Sequence, residues 1–161
     1  MLSRAIFGIS ILMSFVSSGV IARFYAWPRL RMMERERALA WLVAPHLFLR
    51  FIGLSFLVPG VVSQSLPPGF AVPAALGDFV AGLLAIVAVI ALSKKAAWAI
   101  PAVWIFNVWG AADLLYAFYS GPRSRLEAGD LGAAFFIPTA IVPPLLSMHF
   151  LIFLLLVRSR R

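Results

Sequence analysis

The sequence contains no cysteine. This absence excludes a disulfide framework, a thiolate nucleophile and any cysteine-ligated metal or iron–sulfur site. Charged residues are also scarce, at 12% of the chain, against roughly 25% in an ordinary soluble domain. The lack of cysteine is compatible with either redox compartment, but the lack of charge predicts that most of this chain avoids water.

Several long stretches lack Asp, Glu, Lys and Arg altogether. Residues 51–77 and 131–157 are the longest, and residues 5–22, 79–93 and 96–112 are equally free of charge. A helix that is apolar on all sides has no face to give to solvent. Runs of about 18 or more apolar residues match the hydrocarbon thickness of a bilayer. These stretches therefore predict membrane-spanning helices.

Hydropathy divides the chain into five predicted helices, at about residues 5–27, 40–63, 73–93, 98–120 and 132–157, with proline and glycine at the joints. We predict an all-α integral membrane protein whose five transmembrane helices form one compact bundle, a single domain over residues 1–161. The N-terminal stretch resembles a secretory signal, but its apolar part is long for a signal core. We therefore expect the first helix to be retained.

Basic residues are distributed unevenly between the two sides of this bundle. One side receives nine: Arg29, Arg31, Arg35, Arg37, Lys94, Lys95, Arg158, Arg160 and Arg161. The other side receives Arg4, Arg123 and Arg125. The positive-inside rule makes the first side cytoplasmic, which predicts an outside N-terminus and a cytoplasmic C-terminus in the inner (plasma) membrane. Residues 28–39 are then a cytoplasmic basic loop, either solvated or lying as an amphipathic helix on the inner leaflet.

The net charge of +8 does not indicate nucleic-acid binding, because most basic residues lie at the ends of apolar stretches. That placement is typical of topology signals and of contacts with lipid headgroups. We therefore expect membrane lipids as partners and no nucleic acid. A membrane-protein partner or a homo-oligomer is compatible with the sequence.

A few polar side chains lie inside the predicted helices. Such residues are costly in lipid, usually face the bundle interior and commonly mark function. The candidates for ligand or ion binding are His46, Arg50, Asp78, Asn107, Trp109, Asp113 and His149. Estimated depths predict two layers, with the histidines in the cytoplasmic half and the aspartates in the outer half. Arg50 falls near the midplane, within reach of either aspartate.

Each candidate has a structural and a functional interpretation. Arg50 with Asp78 or Asp113 is either an ion pair that fixes helix packing or part of a ligand or ion site. His46 and His149 are expected to face each other, as a hydrogen-bonded pair, axial haem ligands, a shared metal site or a proton relay.

The remaining candidates carry the same ambiguity. Asp78 and Asp113 could also form an acid–base pair. Asn107 is predicted to hydrogen-bond between helices. Trp109, like Trp104, either lines a pocket for a flat apolar ligand or fills space.

Pro67-Pro68-Gly69-Phe70, followed by Pro73 and Gly82, resembles a helix start in the tryptophan-rich sensory protein (translocator protein) family. Asn107 and Trp109 are similar to an Asn and Trp pairing in that family's next helix. The resemblance covers about 45 residues and implies a five-helix protein that binds porphyrins or sterol-like ligands. Here two predicted helices precede the Pro-Pro-Gly element, where the family has one, so we transfer no function.

Three functions remain open at this point. The first is a membrane protein whose polar cluster binds or transports a small apolar or ionic ligand. The second is a redox or enzymatic membrane protein that uses the two histidines for haem or metal, or the aspartates for acid–base chemistry. The third is a structural subunit of a larger membrane complex. The sequence contains no nucleotide-binding loop, metalloprotease motif or serine-hydrolase elbow, and it predicts neither a catalytic residue nor a particular cofactor.

Overall fold

Most of the chain is helical in the computed structural model, which describes residues 2–158. Five helices in this range are long and apolar enough to cross a membrane: α1 Leu2–Leu30, α2 Arg35–Leu57, α3 Pro68–Ser93, α4 Ala99–Arg123 and α5 Ile137–Val157. The described residues form no β-strand. The fold is consistent with a membrane protein. Arg160 and Arg161, which contribute to the charge asymmetry, lie outside the described residues.

Successive helices run in opposite directions, so the molecule has two ends. We call the end with the α1–α2 and α3–α4 connections the basic end, since it carries Lys94, Lys95 and the arginines around residue 31. The opposite end, with residues 58–67 and 124–136, is the loop end. One buried apolar cluster lies towards each end of the bundle. The polar candidates lie between these clusters.

Helix ends differ from the predicted bounds by five or six residues at four places. One of them is the start of α5, which lies at Ile137 rather than near residue 132. α2 begins at Arg35 rather than near residue 40, and ends at Leu57 rather than near 63. Residues 28–39 are therefore not one loop, because α1 continues to Leu30 and α2 begins five residues later. α3 begins at Pro68, inside the predicted turn, because proline at the first helical position lacks only an N–H that would be unpaired there.

Three of the helices are irregular. α2 turns at Ala44–Pro45 and tightens into a 3₁₀ helix over Arg50–Leu57, which lengthens that part by about 4 Å relative to an α-helix. α1 contains a π-helical turn at Ala22–Ala26. α5 contains another at Ile137–Ile141, shortly before Pro143 and Pro144. π-Helical turns occur frequently at functional sites.

α1 is the most exposed helix of the five. Ser18 is its only buried residue before Leu30 within the part that the structure describes. Ser10 and Ser14 are half-buried, whereas Ser3 and Ser17 are exposed. α1 packs against α5 and the loop end, and Phe7 and Phe15 contact Phe135 and Phe118, respectively.

The loop end closes through backbone contacts between its two segments. Ser63 N–H donates to the Asp130 carbonyl at 2.9 Å, and Ala133 N–H donates to the Val61 carbonyl at 2.8 Å. Gly132 makes this approach possible, because its φ is +51° and a Cβ there would overlap the Val61 carbonyl oxygen. Two short 3₁₀ turns within Ala128–Phe135, separated by a kink at Gly132, lead from this junction into α5.

Candidate functional site

Arg50 lies at the centre of the bundle with no solvent exposure. It is the first residue of the 3₁₀ part of α2, one turn after His46. Its Nη1 donates to Asp78 Oδ1 at 2.6 Å and to Asp113 Oδ2 at 2.9 Å. Its Nη2 donates to the Gly110 carbonyl at 2.6 Å and contacts His149 Nε2 at 2.9 Å. Four of the five guanidinium hydrogens therefore have acceptors, and only Nε has no partner within residues 2–158.

Asp78 on α3 and Asp113 on α4 meet at the same guanidinium nitrogen. Their side chains keep 9% and 11% of their exposure, whereas that of Arg50 keeps none. Each aspartate gives one carboxylate oxygen to Arg50. One arginine therefore faces two carboxylates, an imbalance of one negative charge when both are ionised.

The contacts of His149 define its tautomer. An arginine can only donate, so Nε2 of His149 must accept from Arg50 and carry no hydrogen. The hydrogen is then on Nδ1, which lies 2.7 Å from the Asn107 side-chain oxygen and donates to it. Asn107 in turn donates from its amide nitrogen to the His149 carbonyl at 3.2 Å. His149 is thus a neutral imidazole that links Arg50 to Asn107.

His46 lies on the other side of His149 and is held by packing. Its ring centroid is 4.5 Å from that of His149 and 5.0 Å from that of Phe106. The side chain is completely buried, and neither ring nitrogen has a hydrogen-bond partner among the described residues. The two histidine rings contact each other, as expected, but without a hydrogen bond between them.

Glycines make room for this cluster on three helices. A Cβ at Gly53 would overlap the Asp78 carboxylate, and a Cβ at Gly77 would overlap that of Asp113. A Cβ at Gly110 would lie 2.6 Å from His149 Cε1 and 2.8 Å from Arg50 Nη2. Real Cβ atoms essentially never make such contacts. The charged groups can approach one another only because these backbones carry no side chain.

The two predicted layers are connected rather than separate. Arg50 contacts both aspartates and His149, so the polar residues form one connected cluster. The depth of Asp78 was underestimated because α3 begins at Pro68: ten residues of helix place it about 15 Å from that end. Trp109 lies outside the cluster, where its half-exposed indole donates to the Gly77 carbonyl at 3.3 Å.

A cavity of about 300 Å³ extends from the cluster towards the loop end. Asp78 and Asp113 line it, and four phenylalanine rings contribute to its walls: Phe7, Phe56, Phe70 and Phe118. Ile137 and Pro138 from the π-helical turn of α5 line it as well. Arg50 does not. Where this apolar cavity reaches the cluster, its charged lining therefore consists of carboxylates.

Arg4 of α1 lies where the cavity approaches the loop end, and it is paired with Glu127. Its Nε donates to Glu127 Oε2 at 2.9 Å, and its Nη2 contacts the other carboxylate oxygen. Hydrogen bonding from Arg4 lowers the pKa of the exposed Glu127 carboxyl, which therefore remains ionised at neutral pH. The pair connects the first turn of α1 to the loop before α5.

This geometry does not fit one haem ligated by both histidines. A porphyrin would have to lie between the imidazoles, whose centroids at 4.5 Å leave the rings in direct contact. Both nitrogens of His149 also already bond Arg50 and Asn107. Within residues 2–158, no group of three or more His, Cys, Asp or Glu side chains is arranged to hold a metal ion.

Comparison with known families gives a match over nearly the whole sequence. Residues 6–157 match the family described as Domain of unknown function (DUF8737). The chain belongs to this family. No curated protein and no solved structure matches the chain. The match covers all the polar residues of the cluster, so the cluster lies within the domain that defines the family.

The charged members of the cluster were predicted from the sequence, but most of the cavity walls were not. The four phenylalanines around the cavity are among 14 in the chain, and no spacing distinguishes them. Gly77 was also missed, although it directly precedes Asp78. Its role depends on Asp113 of another helix, which no local pattern reveals. The Arg4–Glu127 pair joins residues 123 positions apart and has no sequence signal either.

Proposed function

We propose that the protein is a multi-pass protein of the inner (plasma) membrane that binds a small ligand in the cavity between the loop end and the polar cluster. The cavity itself carries this proposal: about 300 Å³ of apolar space ends at two carboxylates. Ligand sites are typically apolar concavities of this size or larger with a few polar groups. Transport of the ligand would need a further opening towards the basic end, beyond His149 and His46.

The polar cluster holds helices together, and it also has features that are expected of a binding site. An ion pair that only joined helices would need one aspartate, whereas Arg50 holds two and leaves both carboxylates at the cavity. The π-helical turn of α5 supports the same interpretation, because Ile137 and Pro138 of that turn form part of the wall. Irregular backbone in membrane helices is tolerated where it is buried in protein or lines a cavity.

We further propose that the cavity faces the outside of the cell. The nine-to-three distribution of Lys and Arg favours a cytoplasmic basic end, with the N-terminus outside and the C-terminus inside. A C-terminal fusion to a fluorescent protein that folds only in the cytoplasm should therefore be bright. The same fusion to a phosphatase that requires export should be inactive, and the reverse pair of results would overturn the orientation.

Binding can be tested by cysteine modification, because the chain has no cysteine of its own. Ala117 lines the cavity one turn from Asp113, so Ala117→Cys places a thiol in its wall. We expect methyl methanethiosulfonate to modify this thiol in purified protein. Saturating 2-phenylethanol, a small neutral occupant, should slow the modification at least tenfold by filling the cavity. The rate is measured by mass spectrometry of quenched samples.

Gln64→Cys provides the matched control. Gln64 is exposed at the same end of the molecule but does not line the cavity. Its modification should be fast and independent of 2-phenylethanol. Equal protection of both thiols would indicate a general effect of the alcohol, and no protection at Ala117→Cys would contradict ligand binding in this cavity.

A further inference from the structure

The charges at the cavity are not balanced. Arg50 is completely buried and absent from the lining, whereas Asp78 and Asp113 both reach it. Arg4 is the one cationic side chain on the described lining, and it lies towards the loop end, where Glu127 neutralises it. A ligand that reaches the cluster therefore meets two carboxylates and no unpaired positive charge.

His46 and His149 do not change this balance. His149 must be neutral, because its Nε2 accepts a hydrogen bond from Arg50. His46 is buried against His149 and Phe106, and neither of its ring nitrogens has a hydrogen-bond partner within residues 2–158, so no contact there stabilises a positive charge on it. A negative charge buried in an apolar environment is costly unless a cation pairs with it. The cluster is thus one positive charge short of neutrality when both carboxylates are ionised.

The remaining walls suit the apolar part of such a cation. Phe7, Phe56, Phe70 and Phe118 surround the space in front of the carboxylates. The faces of aromatic rings attract cations as well as apolar groups, and this attraction increases where water is excluded. The volume of about 300 Å³ accommodates a single ring with a short chain.

We propose that the ligand is a small lipophilic monocation, an aromatic or alkyl group bearing one ammonium. Its charge pairs with Asp113 and Asp78, and its apolar part lies among the phenylalanine rings. The ammonium completes the neutralisation that Arg50 begins. This assignment rests on the proposed binding function and adds the chemical class of the ligand.

Three probes with similar shapes and different charges test the assignment: 2-phenylethylammonium, 2-phenylethanol and 3-phenylpropanoate. Each is titrated against the full-length purified protein at neutral pH. The rise in unfolding temperature gives the dissociation constant, because a ligand that binds only the folded state stabilises it. We expect the ammonium to bind at least tenfold more tightly than the alcohol. The propanoate should bind more weakly than the alcohol.

Variants then locate the source of the preference. Asp113→Asn should reduce the advantage of the ammonium over the alcohol to less than threefold, and Asp78→Asn, a second variant in case the first does not fold, should act in the same direction. Glu34→Gln makes the same charge change at an exposed site on the basic end. It should leave the preference intact, because Glu34 is far from the cavity.

The outcomes separate the two proposals. Equal or tighter binding of the alcohol or the propanoate would overturn the cationic ligand while leaving the cavity as a binding site. A preference for the ammonium that survives both aspartate variants would also overturn it. Failure of all three probes to raise the unfolding temperature, together with no protection of Ala117→Cys, would overturn the proposed function itself.

Discussion

Replacement of Arg50 with leucine should destabilise the protein by about 3–5 kcal/mol, the range for removing one partner from a buried ion pair. The variant loses four hydrogen bonds and leaves Asp78 and Asp113 facing each other without a cation. The measurement is the unfolding temperature of the purified protein in detergent. Arg23→Leu is the control: Arg23 is exposed on α1, near the ring of Phe24, and its loss should cost less than about 0.5 kcal/mol.

Rescue distinguishes electrostatics from packing in this experiment. If the unpaired carboxylates cause most of the loss, then Asp78→Asn and Asp113→Asn should each be less damaging in the Arg50→Leu protein than in the wild type. Together they should restore part of the stability. Double-mutant cycles measure this coupling directly. Strictly additive losses for both aspartates would show that Arg50 contributes through its size and not through its charge.

The fold was predictable because charge is so costly in lipid. Hydropathy locates all five helices, since apolar stretches have to be buried or lie in lipid. The same criterion misplaced the start of α2, because Arg35, Glu36 and Arg37 resemble a loop by charge alone. They begin a helix because the side chains lie at its end, where Arg35 donates to the Leu156 carbonyl at 2.6 Å. Hydropathy reports the environment of a residue rather than its backbone conformation.

The members of the polar cluster were predictable, but their contacts were not. An ionisable residue inside an apolar stretch is conspicuous, so Arg50, Asp78 and Asp113 could be identified without a structure. Their depths could not be estimated well, because that requires exact helix ends and a uniform rise per residue. α2 violates the second condition, since the chain tightens into a 3₁₀ helix at Arg50 itself. The resulting cluster depends on tertiary contacts that no spacing encodes.

Gly110→Ala should be among the most damaging conservative substitutions in the chain. The added methyl group would lie 2.6 Å from His149 Cε1 and 2.8 Å from Arg50 Nη2, so one of these side chains must move. Either movement breaks the contact between Arg50 and His149. Their buried polar atoms then lack a hydrogen-bond partner, which destabilises the folded protein. Overpacking alone costs about 1–3 kcal/mol, and the lost hydrogen bonds add to it, so we expect a loss of about 2–4 kcal/mol.

Gly19→Ala is the matched control, because a Cβ at Gly19 meets nothing within 4 Å. Alanine is the better helix former, so this variant should be as stable as the wild type or more stable. Unfolding temperatures of both variants in the same detergent provide the comparison. The cost of Gly110→Ala should also fall in a His149→Ala background, where the clashing ring is absent. If Gly110→Ala costs as much stability in the His149→Ala background as in the wild type, then a clash with the His149 ring is not the cause of the loss.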